Sequence, residues 1–223
     1  MKHFGLACLS GVVTLLVIGV ASARAQATSE PITTQPLVSF KQARALGPEA
    51  LPGLSRSLRD PESKGNWAKI VTTIAFIGAP GSYEELHDFI WKRFHGEVDA
   101  GTMGALSAAV GVMGTIPLDH APHLMEELER GTEPAYWDSL PWIWKMPKEA
   151  RNQWFSDATI STLGWTGTAK ADSVLKRLSK DPRFASREAL IAGTIVTNES
   201  VRQKGLEKHI EDALHDQERI MTH

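Results

Sequence analysis

The sequence predicts an all-α chain of about four pairs of short helices. Three observations carry this reading. From about residue 45 onward, apolar residues recur three and four apart, with no sustained strand-type alternation. The apolar runs are short and close on glycine or proline. The run ends also resemble one another: "TTIAFIGAPGS" (72–82), "AAVGVMGTIPLD" (108–119), "ATISTLGWTGTA" (158–169) and "IAGTIVTNES" (191–200).

The chain of 223 residues does not begin with this pattern. Lys2 and His3 precede the uncharged apolar stretch "FGLACLSGVVTLLVIGV", and Ala23-Arg24-Ala25 then offers a small-residue cleavage site. Residues 1–25 are therefore expected to be a signal peptide, with a retained membrane anchor as the alternative. Loss of that segment removes Lys2, Arg24 and the single cysteine, Cys8. The remaining chain carries 22 basic and 26 acidic residues and no cysteine. That excludes a thiolate nucleophile, a redox motif and a disulfide framework. The slight acidity gives no basic footprint for nucleic acid. The expected location is the bacterial periplasm or outside the cell, with no membrane span after cleavage. Residues 26–44, polar and proline-containing, are expected to be a linker, with Leu37, Val38 and Phe40 available to pack on the first helix.

The helices are predicted in order. Leu51, Leu54 and Leu58 mark the first, after Pro48. Trp67, Ile70, Val71, Ile74 and Ile77 mark the second, and Leu86, Phe89, Ile90 and Phe94 the third. Ser82 and Glu85 are spaced as a capping box before the third. Leu106, Val110 and Met113 mark the next, then Leu124 and Leu128, then Trp154 and Ala158. Val174, Leu175 and Leu178 come after these, then Ala189, Leu190, Gly193 and Thr194. Only "TIVTN" at 194–198 is β-branched enough to suggest a strand. Val201, Leu206, Ile210 and Leu214 suit a final helix, whose mixed charges suit the polar end of an array. Gly78, Gly114 and Gly164 fall at one place in the run ends, with Thr197 in the fourth. A left-handed backbone after each helix would account for them. The intervals between them are 36, 50 and 33 residues.

A second echo is "LSRSLRDP" (54–61) against "LKRLSKDP" (175–182), where Asp-Pro closes one helix before a short turn. With these residues in view, "SLRDPESKGNWAKIVTTIAFIGAPGSYEEL" and "LSKDPRFASREALIAGTIVTNES" resemble HEAT-type repeats, including the variety found in phycobilin lyases. Asp60-Pro61 and Asp181-Pro182 match the turn of such repeats, Arg187 their arginine, and the glycines their ends. The second and third repeats lack Asp-Pro. The resemblance implies a right-handed α-α superhelix, a HEAT-like solenoid, over residues 45–216, with a tail at 217–223. It implies, for the most part, binding of other proteins and does not by itself imply catalysis. The hydrophobic interior of such a chain is a row of stacked pairs, its first and last helices apart. The small-residue run "GTMGALSAAVGVMG" (101–114) fits close packing, since no strand precedes it as phosphate binding would need.

The long interval contains "PAYWDSLPWIWKMP" (134–147), with three tryptophans, a tyrosine and three prolines. The prolines forbid a regular helix, so an insertion is expected at 131–148. Tyr136, Trp137, Trp142 and Trp144 are the candidate binding residues. Their rings form either a lid over an apolar face or a recognition patch, or Trp142 points inward and Trp137 outward. Stacking on a sugar ring, assisted by Glu133 and Asp138, is a further possibility, but no carboxylate separation that a glycosidase needs is fixed by the spacing.

The histidines invite a metal reading. His120 and His123 lie near Asp119, Glu126 and Glu127, with His123 and Glu127 four apart; Asp119 reads more simply as a cap, and the glutamates as a solvated face. His209 and His215 are six apart, a poor ligand spacing. Ser107 and Ser161 sit in apolar helical runs, and no G-x-S-x-G elbow exists. The sequence therefore predicts no catalytic residue, metal or cofactor. It predicts an exported scaffold or adaptor for an unidentified protein partner. The alternative is a periplasmic glycan binder or glycan-acting enzyme built on the tryptophan insertion.

Overall fold

The computed structural model describes residues 39–221. The signal peptide and most of the linker, with Leu37 and Val38, lie outside the described residues. Those described form ten α-helices joined by short 3-10 turns.

The first helix, α1 (Phe40–Leu46), lies in the stretch expected as linker. Ser39 and Gln42 form a reciprocal capping box at its start. Phe40 is buried and meets the Phe76 ring edge-on at 5.1 Å. Next come α2 (Leu51–Arg59), α3 (Trp67–Ile77), α4 (Ser82–Trp91) and α5 (Ala100–Val112). After these come α6 (Leu124–Gly131), α7 (Lys148–Leu163), α8 (Ala169–Leu178), α9 (Glu188–Lys204) and α10 (Leu206–Met221). "TIVTN" is helical within α9.

The paired turns explain the order. Asp60 and Asp181 adopt the same extended backbone (φ −85, ψ 118 and φ −87, ψ 118). Each carboxylate accepts the backbone N–H two residues on, from Glu62 and Arg183. Each opens a six-residue 3-10 turn with proline first, at Pro61–Asn66 and Pro182–Arg187. Glu133 repeats that backbone at φ −88 and ψ 123, and Pro134–Ser139 repeats the turn. The third pair therefore has its own version, with Glu133-Pro134 for Asp-Pro. The expected insertion at 131–148 shrinks accordingly. The added parts are Leu140 to Pro147 and the extra length of α7, which has 16 residues where α3 has 11.

Packing proceeds along the sequence. The second helices of the pairs form one row, α3 on α5, α5 on α7 and α7 on α9. The first helices cover it from one side: α2 on α3, α4 on α3 and α5, α6 on α7, and α8 on α9. α1 precedes the row against α3, and α10 ends it against α9. α10 also touches α1, where Glu207 is near enough to act on the charge of Arg44. The expected separation of first and last helices is thus corrected: α10 reaches back to touch α1. That contact is much slighter than any between consecutive members of the row.

Close approach acts at all three repeated glycines, at Gly78 against Pro117 Cδ (2.6 Å from an added Cβ), and backbone handedness at Gly78 besides. Gly78 is left-handed (φ 57), as expected after a helix. Gly164 is right-handed (φ −60), and Gly114 sits in a 3-10 turn without positive φ. A Cβ on Gly114 would collide with the Thr162 carbonyl oxygen, and one on Gly164 would lie 3.0 Å from Thr197 Cγ2. Close approach of successive row helices, not backbone handedness, selects these two. Both partners come from the run end of the next pair.

Two local readings are also corrected. Ser82 is the first residue of α4 after left-handed Gly81, and its buried hydroxyl has no partner, so no capping box forms with Glu85. Asp119 caps nothing, because α6 starts only at Leu124 after His123.

Candidate functional site

The tryptophan segment is held from several sides at once. Trp137 is 3% exposed and donates its indole N–H to the Gly131 carbonyl at 2.8 Å. Its ring stacks on Trp91 (5.6 Å, 7° between planes) and meets Phe155 at 5.1 Å. Trp142 is fully buried and donates to the Ile90 carbonyl at 2.8 Å, with Phe155 edge-on at 5.5 Å. Trp142–Ile143 (β2) pairs in parallel with Gly96–Glu97 (β1) in the loop after α4. An outward Trp137 is therefore overturned. Both rings are buried, and each indole N–H finds its acceptor inside the fold.

Arg151 fastens the segment. Its buried guanidinium donates to the carbonyls of Trp142 (2.6 Å) and Trp137 (2.9 Å) and to Asn152 Oδ1. Asn152 in turn donates to Asp138 at 2.6 Å, and Lys148 pairs with Asp138 at 2.9 Å. The Lys148 hydrogen bond, then Asn152, holds the Asp138 carboxyl below its ordinary value. Glu133 accepts both ends of the Arg183 guanidinium at 3.1 Å. The two carboxylates considered for sugar hydroxyls are thus both in ion pairs. Tyr136 and Trp144 are half-buried. Tyr136 lies against Trp91 (5.2 Å) and under the Arg130 guanidinium (5.2 Å), and burial followed by the Glu127 charge pushes its phenol up to about 12.

A different tryptophan stands free. Trp154 of α7, expected in the core, is 52% exposed. Its indole N–H donates to Ser107 Oγ of α5 at 3.0 Å. The buried stripe of α7 is Asn152, Phe155, Thr159 and Leu163. Trp154 is off that stripe, and Asp157 and Ala158 beside it are half-exposed. On α5 the neighbouring open positions are Gly104, Ser107 and Ala108. Of the three exposed large hydrophobics among the described residues, Trp154 and Val196 belong to the row of second helices; Ile143 is the third. Arg187, matched to the repeat arginine, is buried as a tie between α7 and the turn before α9. It pairs with Asp157 at 2.9 Å, donates to Ser156 Oγ at 3.1 Å and lies 4.9 Å from the Phe184 ring. Burial raises the Asp157 carboxyl even against the pull of Arg187.

On the covered side, α4 and α6 flank a groove of about 460 Å³ lined by Tyr83, His87, His123, Glu126, Glu127 and Arg130, among others. Glu127 is only 5% exposed. Its carboxylate accepts from the Tyr83 hydroxyl and from Trp91 Nε1 (3.3 Å). Burial first, then the Glu127 bond, pushes the Tyr83 phenol well above its ordinary range. The metal reading finds no geometry here. Among the described residues no three His, Cys, Asp or Glu side chains are placed to share an ion. His120 instead lies 2.6 Å from the Gly78 carbonyl through Nδ1. His209 lies 2.8 Å from Ser200 Oγ and packs on Trp165, while the side chain of His215 lies outside the described residues. No helix among the described residues is long and apolar enough to cross a membrane. No family model, curated protein or solved structure matches the chain.

Proposed function

We propose that this chain is an exported, non-enzymatic scaffold of HEAT-like repeats that holds a protein partner on the row of second helices, α3, α5, α7 and α9. Support for the solenoid reading comes from sequential packing in two layers and from three turns of equal geometry. Close contacts between equivalent run ends support it further. Support for export comes from the sequence of residues 1–25 alone. Because α10 meets α1, the binding reading rests on the local surface at Trp154 and not on a wide, free-ended groove.

The observation behind this reading is the half-exposed Trp154 among small residues. A large indole left in water in a regular helix gives up burial energy that a neighbouring chain can recover. Tryptophan is also among the residue types most enriched at binding hot spots. The rival glycan reading would have to rest on Tyr136 and Trp144, since buried rings cannot stack on a sugar.

The test uses residues 26–223 immobilised and exposed to periplasmic extract, with Trp154→Ala in parallel. Retention of a defined protein by the parent, lost in the variant at unchanged melting temperature, is the expected result. Equal retention by both chains would remove Trp154 from the binding surface.

A further inference from the structure

We propose that the groove between α4 and α6 is a binding site for an organic ammonium ion, with the Glu127 carboxylate as its floor and the Tyr83 and His87 rings as its wall. This site is on the covered side of the row and stands independently of the Trp154 surface.

A carboxylate taken almost wholly out of water is normally matched by a cation, because hydrogen bonds from neutral groups leave its charge uncompensated. Glu127 is faced by neutral groups, the Tyr83 hydroxyl and the Trp91 indole N–H that donate to it and the Tyr136 phenol beside them. No lysine, arginine or histidine nitrogen among the described residues lies within ion-pair range of it. The nearest candidate on its own helix, Arg130, is turned onto the Tyr136 ring instead. Glu129, two residues on, is already paired with Arg177 at 2.8 Å. The unmatched charge therefore belongs to Glu127, with exposed Glu126 beside it.

Access and shape agree with that charge. Glu127 lines an open groove and not a sealed core position. The groove volume of about 460 Å³ is within the range of small-ligand sites. Tyr83 and His87 stand 5.8 Å apart along α4, so the wall offers π-faces as well as a carboxylate. Ammonium groups are attracted by both features. A metal ion would need a third ligand that the groove does not assemble. The ammonium can belong to a free aliphatic amine or to a lysine side chain, and the chemistry at Glu127 is the same for both.

The experiment titrates the chain with cadaverine and, separately, with Nα-acetyl-lysine methylamide, following amide NMR resonances of α4 and α6. Saturable shifts confined to these helices are expected, and the tighter probe identifies the source. In Glu127→Gln, affinity should fall by at least about tenfold, the loss of one charge-assisted contact. Should that variant fail to fold, Glu126→Lys at an exposed position places a competing ammonium in the groove and should abolish binding. Arg130→Gln removes a like charge from the rim and should tighten it. The proposal is overturned if neither probe gives saturable shifts. It is equally overturned if a folded Glu127→Gln, or Glu126→Lys in its place, binds as well as the parent, or if Arg130→Gln weakens binding.

Discussion

Two groups of tryptophans in this protein have opposite fates. Trp137 and Trp142 sit in an irregular, proline-broken segment and are buried; Trp154 sits in a regular helix and is half in water. Irregular backbone leaves carbonyls without helical partners. The loop buries itself only by satisfying them, which Arg151 does at Trp137 and Trp142. The indole N–H groups in turn satisfy helix-end carbonyls, at Gly131 of α6 and Ile90 of α4. A helix satisfies its own backbone, so Trp154 is under no such demand and its position depends only on which stripe faces the core. Trp137 and Trp142 therefore build structure here, while Trp154 stays at the surface.

Four measurements bear on this contrast. The largest effect is expected of Trp142→Ala, which deletes a fully buried ring and should cost about 4 kcal/mol. Chemical denaturation of the purified chain measures it, and a loss under about 1 kcal/mol would contradict that burial. Arg151→Met should cost about 3 kcal/mol, because it strands the buried Trp142 carbonyl, leaves that of Trp137 with only the long Leu140 N–H bond, and removes a cation. Amide exchange should quicken first in residues 137–151, where the freed carbonyls lie.

The third measurement varies pH. Asp138 has its carboxyl held below 3.8 by Lys148 and Asn152. A depressed carboxyl stabilises the fold above its unfolded value and loses that contribution as pH falls through the folded one. Melting temperature should therefore drop as pH is lowered below about 4, and Asp138→Asn should lack that part of the drop. Identical acid profiles for parent and variant would show that the pair does not hold the segment. The smallest effect is expected of Trp154→Ala, within about 0.5 kcal/mol of the parent in stability. A loss comparable with that of Trp142→Ala would make it a core residue and end its candidacy as a contact.

Some features are legible residue by residue. Asp60-Pro61 and Asp181-Pro182 announce their turns because a carboxylate two residues before a free N–H and a fixed proline φ are local causes. The same turn at Glu133-Pro134 is silent in the sequence because the longer side chain makes no such cap, though the backbone is the same. Gly78 is legible as a left-handed end. Gly114 and Gly164 stand where the pattern puts them but for another cause, since the atoms that exclude a Cβ there come from Thr162 and Thr197, far along the chain. At the candidate sites Glu127 reads from the sequence only as a solvated acid. Its burial depends on Tyr83 and Trp91, which lie 44 and 36 residues away.

The helical class, the pairing of short helices, the two aspartate turns and the place of the irregular segment are all written locally in the chain. Each comes from propensity, periodicity or capping within a few residues. Three outcomes needed the folded molecule: which tryptophans are sheltered, that α10 curls back to α1, and that Glu127 is enclosed beside an open groove. They depend on which surfaces meet across tens of residues, and burial is a property of the meeting and not of the residue.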